Sequence, residues 1–175
     1  MNTEIHNNLE EAKIFLDTIN TPDAIQFSEW TKEKTYLRYN GKLPQFPIYN
    51  NFIYWCNLGV NIGSEQNKLR PVLILRSSKN SPICTILPLT TKRLNDELWF
   101  HVDLEKIDST VLVEQLKVVS KIRITDPFRR KGKLVVISKN DWTEINSQLE
   151  ILYRLKPLKN GYRIIVFIPQ THEIQ

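Results

Sequence analysis

The residues most capable of chemistry lie around two short aliphatic runs in the middle of the chain. Arg70 opens the first run, which continues to Leu75, and Thr90 follows the second, which begins at Ile83. A guanidinium presents five donors in a planar fork that suits phosphate oxygens, and a threonine hydroxyl adds one further donor or acceptor. The pair is therefore suited to holding a phosphate group and stabilising negative charge on it.

The spacing of the two runs brings these groups together. Both runs are too short and too β-branched for a buried helix, and polar residues and prolines bound them, so they predict an antiparallel hairpin. If Arg76 pairs with Ile83, Arg70 lies opposite Leu89 and beside Thr90. A slip of one residue makes Arg70 and Thr90 direct partners. Cross-strand neighbours lie about 5 Å apart at Cβ and diagonal ones about 7 Å.

A polar loop precedes the first run and contains Ser64, Glu65 and Gln66. We expect this loop to lie over the end of the hairpin that carries Arg70 and Thr90. Glu65 is its only carboxylate, and it could act as a general base only if its pKa were raised. The loop and the hairpin together form the candidate site.

The composition is that of a globular protein. The chain has 175 residues, of which 41% are hydrophobic and 25% charged, enough for one domain with a substantial core. We expect neither a membrane span nor a secretion signal. Cys56 and Cys84 fall in predicted strands without metal-ligand spacing, so we expect both to be buried thiols in a reducing cytosol.

Charge is unevenly distributed along the chain. The net charge is +5, but the first thirty residues contain six acidic residues and one lysine, so the remainder carries about +10. A basic body suits a polyanionic partner, because lysine and arginine release counterions when they bind phosphates. A surface kept soluble by its charge is an equally good interpretation of this pattern.

The elements that must position the site begin with helices. Apolar spacing predicts a helix over residues 8–20, and a second helix begins with Thr21 as cap and Pro22 as its first residue. The second helix carries an apolar stripe of Phe27, Trp30, Lys34 and Leu37. A connector with glycine and prolines covers residues 40–51. We therefore divide the chain into an N-terminal helical extension, residues 1–50, and a domain of residues 51–175.

Strands dominate the second part of the chain. Besides the hairpin, strands are predicted over residues 52–58, 98–104, 110–118, 134–137 and 162–168. Ser138 and Asp141 have the spacing of a capping box and open a third helix that ends at about Leu155. Many short strands with one late helix predict a mainly β protein with helices, in the α+β class, with a small, strongly bent sheet or barrel.

Three further features could serve a nucleic-acid site. His101 is flanked by apolar residues, which favours a hydrogen-bonded structural role over a catalytic one. The aromatic residues Tyr54, Trp55 and Trp99 could stack bases, but strand aromatics are more often part of the core. The basic turn at residues 129–133 suits either phosphate binding or simple solvation.

Several segments in a fixed order between residues 50 and 155 carry a family resemblance. They are Trp55-x-x-Leu58-Gly59, Gly63-Ser64-Glu65-Gln66, Leu69-Arg70-Pro71-Val72-Leu73-Ile74, Pro88-Leu89-Thr90 and residues 113–124. Together they resemble the MazF/PemK family, the toxins of bacterial type II toxin–antitoxin pairs. The resemblance implies an SH3-like small barrel with a C-terminal helix, and a cytoplasmic homodimer silenced by a cognate antitoxin.

The resemblance also implies an activity. It is that of an endoribonuclease needing no metal or cofactor, which cuts single-stranded RNA such as mRNA at short sequences and leaves 2′,3′-cyclic phosphate and 5′-hydroxyl ends. By similarity, Arg70 and Thr90 fall on the catalytic positions. The residues expected to bind RNA are those on or next to positions that line the family's site: Ser64, Glu65, Gln66, Thr91, Gln115 and Lys117.

The chain departs from the family pattern in two places. Asn51 and Phe52 stand where a glycine and an acidic residue usually open the first strand, and Lys117 and Val118 replace an arginine and a threonine. Two other functions remain open at this point. One is a non-enzymatic poison of a protein target such as gyrase, as in the CcdB toxins, and the other is an RNA-binding module without cleavage.

Overall fold

The computed structural model describes residues 2–154, which fold into three α-helices, nine strands and two 3₁₀ turns. The helices are α1 (Thr3–Leu16), α2 (Thr21–Asn40) and α3 (Lys139–Leu152), and the strands are β1 (Ile53–Asn57), β2 (Leu69–Ser77), β3 (Ile83–Thr90), β4 (His101–Asp103), β5 (Thr110–Leu112), β6 (Lys117–Ser120), β7 (Ile124–Pro127), β8 (Arg129–Arg130) and β9 (Lys133–Leu134). The predicted α+β class is confirmed. The strand predicted at residues 162–168 lies outside the described residues.

Seven strands form one antiparallel sheet in the order β4–β5–β3–β2–β1–β7, with β6 paired to β3 outside that path, and β8 and β9 form a separate hairpin. β3 pairs with β5 at Leu89–Thr90 and with β6 at Ile83–Ile86. The prediction of one strand over residues 110–118 is therefore wrong. The segment bends at a 3₁₀ turn, Val113–Gln115, because its two halves pair with opposite ends of β3.

The β2–β3 hairpin forms as predicted, but the pairing of Arg76 with Ile83 is wrong. Arg76 instead lies opposite Thr85, because the register shifts between Ile74 and Arg76. Such a bulge inserts one extra residue into one strand and increases its local twist. Bulges depend on how the sheet must curve, and the run of apolar residues does not reveal them.

Between the bulge and the Arg70 end of the hairpin, the register brings the two candidate residues toward each other. Val72 pairs with Pro88, which corresponds to a slip of one residue from the register set by Arg76 and Ile83. Continued for two more residues, this register places Arg70 across from Thr90. The strands therefore bring both residues to the same end of the hairpin.

The sheet buries two apolar clusters, because successive residues of a strand point to opposite faces. Ile53 belongs to the cluster that packs beneath Ile145 and Leu149 of α3. The next residue, Tyr54, belongs to the opposite cluster, together with Cys56 and the thiol of Cys84. Both cysteines are free and buried, and burial raises the pKa of Cys56 to about 12 and that of Cys84 to about 11.

The ends of the helices follow capping chemistry. α3 opens with the predicted capping box, in which the side chains of Ser138 and Asp141 each bond the other's backbone N–H. It ends at Leu152, slightly before the predicted end. Two other predictions are wrong: α1 starts at residue 3 rather than 8 because Asn2 caps it, and Asn20 rather than Thr21 caps α2.

Two further sequence predictions are corrected. The strand expected over residues 98–104 is reduced to β4, and that over 134–137 to the short β9 with an isolated bridge between Phe52 and Val136. Of the apolar stripe on α2, only Trp30 is buried, and α1 has no buried residue. Within residues 2–154, no helix is both long and apolar enough to cross a membrane.

Candidate functional site

A cavity of about 570 Å³ lies at the end of the β2–β3 hairpin. Arg70, Thr90 and Thr91 all line it, so the two residues predicted to be catalytic share one hollow. The rest of the lining comes from β1, from β2 and β3 themselves, from the segment before β5, and from the β7–β8 region: Trp55, Leu69, Pro71, Leu89, Ile107, Asp108, Ser109, Phe128, Arg129 and Arg130. Three guanidinium groups and one carboxylate give this cavity a positive charge balance.

Arg70 is held at its base and free at its tip. It lies on β2 opposite Cys56 of β1, and its Nε donates a hydrogen bond to the backbone carbonyl of Asn67 at 3.0 Å. Among residues 2–154, no group accepts a hydrogen bond from its two terminal nitrogens and no carboxylate forms an ion pair with it. Four N–H donors therefore remain available to a phosphate.

Thr90 is the last residue of β3, where it pairs with Thr110 of β5. Only 4% of the surface of Thr90 is exposed to solvent. Its hydroxyl oxygen accepts a hydrogen bond from the Lys92 N–H at 3.2 Å. The hydroxyl keeps its own proton for donation. A hydroxyl fixed in this way has a defined direction, which suits the positioning of a ligand oxygen.

Five of the six residues expected to bind RNA form a second cluster. The side-chain oxygen of Gln115 accepts from the Gln66 N–H at 2.7 Å, and its amide nitrogen donates to the Ser64 carbonyl at 3.2 Å. Lys117 forms an ion pair with Glu65 at 2.6 Å. Gln115 and Lys117 therefore tie the polar loop to the sheet, and neither they nor Glu65 line the cavity. The sixth residue, Thr91, lines the cavity.

The cavity also contains Trp55, which the sequence offered for base stacking, two arginines of the basic turn, and Phe128, to which the sequence assigned no site role. Trp55 packs against Phe128 with ring centroids 5.5 Å apart, and both rings line the cavity beside Arg129 and Arg130. The signal was the aromatic residue directly before the basic turn. Asp108 and Ser109 also line it, and no pattern in the sequence marked them.

The other aromatic candidates lie elsewhere. Tyr54 is buried in the core, where its hydroxyl donates to the Pro47 carbonyl at 3.0 Å. Trp99 packs edge-on against Phe100 and does not line the cavity. The predicted aromatic group is therefore divided among the core, the surface and the cavity.

His101 lies away from this cavity and lines a different hollow together with Asp96. Its Nδ1 is 2.7 Å from an oxygen of Asp96, its Nε2 is 3.4 Å from an oxygen of Glu114, and its side chain is 6% exposed. Partial burial alone would raise the pKa of Asp96, but hydrogen bonds from His101 and from the Leu98 N–H outweigh it and lower that pKa. The histidine is hydrogen-bonded inside the protein, as the sequence predicted.

The donor set does not form an obvious cation site in the part of the chain described here. Among residues 2–154, no group of three or more His, Cys, Asp or Glu side chains is placed to hold a metal ion. The cavity offers guanidinium and hydroxyl groups and the single carboxylate of Asp108. Guanidinium and hydroxyl groups are suited to binding a phosphate and to stabilising charge that develops on it.

Comparison with known proteins gives a consistent result. The sequence model of the PemK-like, MazF-like toxins of type II toxin-antitoxin systems matches residues 51–153. The endoribonuclease MazF of Staphylococcus saprophyticus is 28% identical over 117 residues, which cover 62% of this chain and 92% of that protein. The endoribonuclease EndoA of Bacillus subtilis is 30% identical over 83 residues, covering 42% and 72% respectively.

Solved structures show the same fold. MazF from Deinococcus radiodurans superposes with a TM-score of 0.54 at 18% identity, covering 63% of this chain and all of that one. A MazE–MazF structure from the same organism has a TM-score of 0.50 at 18% identity, covering 64% of this chain and all of that one. The family match begins at residue 51, after α2.

Proposed function

The chain belongs to the family of PemK-like, MazF-like toxins of type II toxin-antitoxin systems, and on this basis we propose that it is an endoribonuclease that cuts single-stranded RNA, such as mRNA, in the cytoplasm. The observation that best supports this activity is the cavity lined by both Arg70 and Thr90. Its positive charge balance suits a polyanion, and its free guanidinium donors suit a phosphate.

The reaction uses the RNA's own 2′-hydroxyl as nucleophile. This oxygen forms a bond to the adjacent phosphorus while the bond from phosphorus to the 5′ oxygen breaks. The 2′-hydroxyl loses its proton, the leaving 5′ oxygen gains one, and the products carry a 2′,3′-cyclic phosphate and a 5′-hydroxyl. Because the nucleophile and the leaving group both belong to the RNA, we propose that cutting proceeds without metal or cofactor.

The two central residues have different roles in this proposal. Arg70 is a poor base, since a guanidinium has a pKa above about 12, so it acts by stabilising the negative charge that builds up on the phosphoryl oxygens. Thr90 donates a hydrogen bond from its hydroxyl to one of these oxygens or orients the 2′-hydroxyl. Both contribute most in the transition state, where the charge is greatest.

Base selection belongs to the surrounding groups. Trp55 and Phe128 offer ring faces in the cavity, and stacking of a base on an aromatic ring contributes about 1–3 kcal/mol. The loop with Ser64 and Gln66 offers backbone and side-chain groups to base edges, and Gln115 holds its shape. We propose that cutting is selective for a short sequence read by these two features.

The assembly follows from the family. One of the similar Deinococcus radiodurans structures is that of MazE–MazF, which supports an antitoxin as partner of this chain. We propose that the protein acts as a homodimer and that its cognate antitoxin silences it. We also propose that residues 51–175 form the toxin domain and residues 1–50 a helical extension. None of the observations favours the CcdB-like alternative.

The test is to map new 5′-hydroxyl ends on a long transcript after incubation with purified protein in a chelator. Discrete ends that share a short sequence are expected, and Arg70→Ala or Thr90→Ala should remove them while the far-UV and near-UV circular dichroism stay unchanged. Absence of cutting by the wild-type protein, or unimpaired cutting by both variants, would overturn the proposal. A gyrase supercoiling assay on the same sample tests the alternative.

A further inference from the structure

A second cavity, of about 410 Å³, adjoins the first. Ile107 and Arg130 line both, so the two hollows are neighbours that share these residues. All charged residues that line the second cavity are cations. Its lining consists of Lys106, Ile107, Arg130, Lys131, Lys133, Leu134, Val135 and Val136.

Two of the four cations are held by backbone carbonyl groups. Lys106 donates to the backbone carbonyl of Val136 at 2.9 Å, and the Arg130 guanidinium donates to the carbonyl of Lys106. Lys131 lies in the β8–β9 turn with a φ of 49°, which directs the chain sharply back toward β9. Within residues 2–154, none of the four cations forms an ion pair with a carboxylate.

Building on the proposed function, we propose that this second cavity is a subsite for backbone phosphates of RNA beyond the scissile bond. Lys106 and Arg130 donate to backbone carbonyl groups, and Lys131 and Lys133 are exposed, so all four positive charges attract a polyanion. Because Arg130 lines both cavities, a strand bound at Arg70 and Thr90 reaches the second cavity past this residue. This subsite binds the backbone, so it raises affinity for long RNA of any sequence and leaves the cut site unchanged.

The salt dependence of binding tests the subsite. Polyuridine carrying a fluorescein label is titrated with the Arg70→Ala protein, which does not cut, with and without Lys131→Gln and Lys133→Gln. The logarithm of the binding constant falls with the logarithm of salt by about 0.7 for each phosphate contacted in single strands. Loss of two contacts should therefore reduce the slope by about 1.4. The matched control is the pair Lys79→Gln and Lys139→Gln, two exposed lysines outside both cavities.

The outcomes separate the subsite from the catalytic proposal. A slope equal to that of the control pair would overturn the subsite, whether or not the wild-type protein cuts RNA. A reduced slope in a protein whose wild-type form leaves transcripts intact would keep the subsite and reject the nuclease. In an active enzyme, the two substitutions should raise KM for long RNA and leave kcat unchanged.

A separate observation concerns the helical extension. The indole ring of Trp30 on α2 lies against Gly59, so closely that a Cβ at Gly59 would be 2.2 Å from two ring carbons. The Arg123 guanidinium carbon lies 5.2 Å from the centre of the ring, and its Nη1 donates to the Leu58 carbonyl at 3.1 Å. The ring, the glycine and the cation form one packed unit at the base of the polar loop.

This unit is connected to the catalytic arginine. The Gly59 carbonyl accepts from the Lys68 N–H at 2.6 Å, and the Leu58 N–H donates to the Lys68 carbonyl at 2.9 Å, which closes the base of the loop. The next residue toward the loop, Asn67, supplies the carbonyl that holds the Arg70 side chain. A contact made by α2 thus reaches the guanidinium through two backbone hydrogen bonds, a short piece of chain, and the bond from the Arg70 Nε to the Asn67 carbonyl.

We propose that Trp30 is a positioning residue: it holds residues 58–68, and through them the Arg70 guanidinium, in the geometry that cutting requires. Asn57 supports the same arrangement, because its side chain bonds both Glu33 of α2 at 2.6 Å and the Gly59 N–H at 3.0 Å. The extension lies outside the family match, yet it supports the loop expected to contact RNA. This role rests on the proposed function.

The test compares Trp30→Ala with Trp30→Phe, and with Tyr39→Ala as a control on the exposed face of the same helix, where Tyr39 is 78% exposed. Amide hydrogen exchange in residues 58–68 should accelerate for Trp30→Ala, less for Trp30→Phe and not for Tyr39→Ala, while exchange in β2 and β3 stays unchanged. The kcat for RNA should fall about 10–10²-fold for Trp30→Ala, because small displacements of reacting groups cost rates of that order.

Two results would overturn this second proposal. One is an exchange rate and kcat of Trp30→Ala equal to those of Tyr39→Ala. The other concerns Gly59→Ala, in which the new Cβ must push the Trp30 indole away from the loop. Amide exchange in residues 58–68 of this variant at the wild-type rate would also contradict the proposal. If the wild-type protein cuts no RNA, the exchange measurements still decide whether α2 holds the loop.

Discussion

Two clusters of reactive side chains, Arg70 with Thr90 at the end of the β2–β3 hairpin and His101 with its carboxylates on and around β4, differ in what their polar atoms contact. The Arg70 side chain uses one nitrogen inside the protein and leaves two facing the cavity without a partner among residues 2–154. His101 has a carboxylate at each ring nitrogen and a side chain that is 6% exposed. Histidine is the more usual acid–base residue. Here, however, its hydrogen bonds are satisfied internally and those of the arginine are not.

This contrast shows that residue type alone suggests which side chains are candidates for a functional site. Whether a candidate has hydrogen-bonding groups left over for a ligand then decides between them. A group already satisfied inside the protein contributes to stability, because removing it leaves its partners unpaired. A side chain whose terminal donors have no partner in the protein has these donors available for a ligand. Removing it should change the free energy of unfolding little. Four substitution experiments test this division between the two clusters.

The largest effect is expected at Arg70. Arg70→Ala should lower kcat for RNA by about 10²–10³-fold, the typical cost of removing one donor from a charge-stabilising site. Arg70→Lys should recover only part of this loss, since an ammonium lacks the planar fork. Single-turnover cleavage of a labelled RNA measures both. His101→Gln serves as the contrasting variant, and a loss at His101 as large as that at Arg70 would contradict the division.

The next effect is expected at Thr90. Thr90→Val keeps the shape but removes the hydroxyl, and a hydrogen bond to a charged oxygen contributes about 1.5–3 kcal/mol, so kcat should fall about 10–10²-fold. Thr90→Ser should retain most of the rate, because it keeps the hydroxyl. The ratio of the two single-turnover rates is the measurement. Equal rates for valine and serine would remove Thr90 from the reaction.

His101 should show the reverse pattern. His101→Ala should lower the free energy of unfolding by about 1–3 kcal/mol, because Asp96 and Glu114 lose their shared hydrogen-bonding partner in a closed site. Urea unfolding followed by tryptophan fluorescence measures this loss. The kcat of the folded variant should stay within a few-fold of wild type. A stable His101→Ala protein would show that the cluster is not structural.

The smallest effect concerns pH. The pKa of Asp96 is lower in the folded protein than its unfolded value of about 3.9, so the folded state binds fewer protons there. Its contribution to stability is therefore present above that pH and is lost as the pH falls through the folded pKa. Asp96→Asn should be less stable than wild type near neutral pH, and the difference should shrink in acid. A difference that is constant with pH would contradict this.

Some of the structure could be read from local patterns. The two aliphatic runs at Arg70–Leu75 and Ile83–Leu89 are strands, and Ser138 with Asp141 caps α3, because burial periodicity and capping depend on residues within one or two turns of each other. The pairing of Arg70 with Thr90 was one of two registers that the spacing allowed. The observed pairing of Val72 with Pro88 selects that register on the Arg70 side of the bulge, and the register set by Arg76 and Ile83 occurs on neither side of it.

Other features could not be read in this way. The break at Val113–Gln115 arises because one segment serves both ends of β3. The contact of Gln115 with Gln66 joins residues 49 positions apart, and that of Trp30 with Gly59 joins a helix to a loop in a different part of the chain. No pattern within a window of ten residues contains such information.

The amino-acid sequence alone was enough to identify the α+β class and the family, and to nominate Arg70 and Thr90 for phosphate binding. The folded structure was needed to show that the terminal nitrogens of Arg70 have no partner among residues 2–154 while His101 has a carboxylate near each ring nitrogen, that Arg130 lines two cavities, and that Trp30 of α2 packs against Gly59. The physical reason is the range of the interactions. Propensity, capping and burial periodicity act between near neighbours, whereas the register, the occupancy of hydrogen-bonding groups and the shape of a cavity depend on partners that only folding brings together.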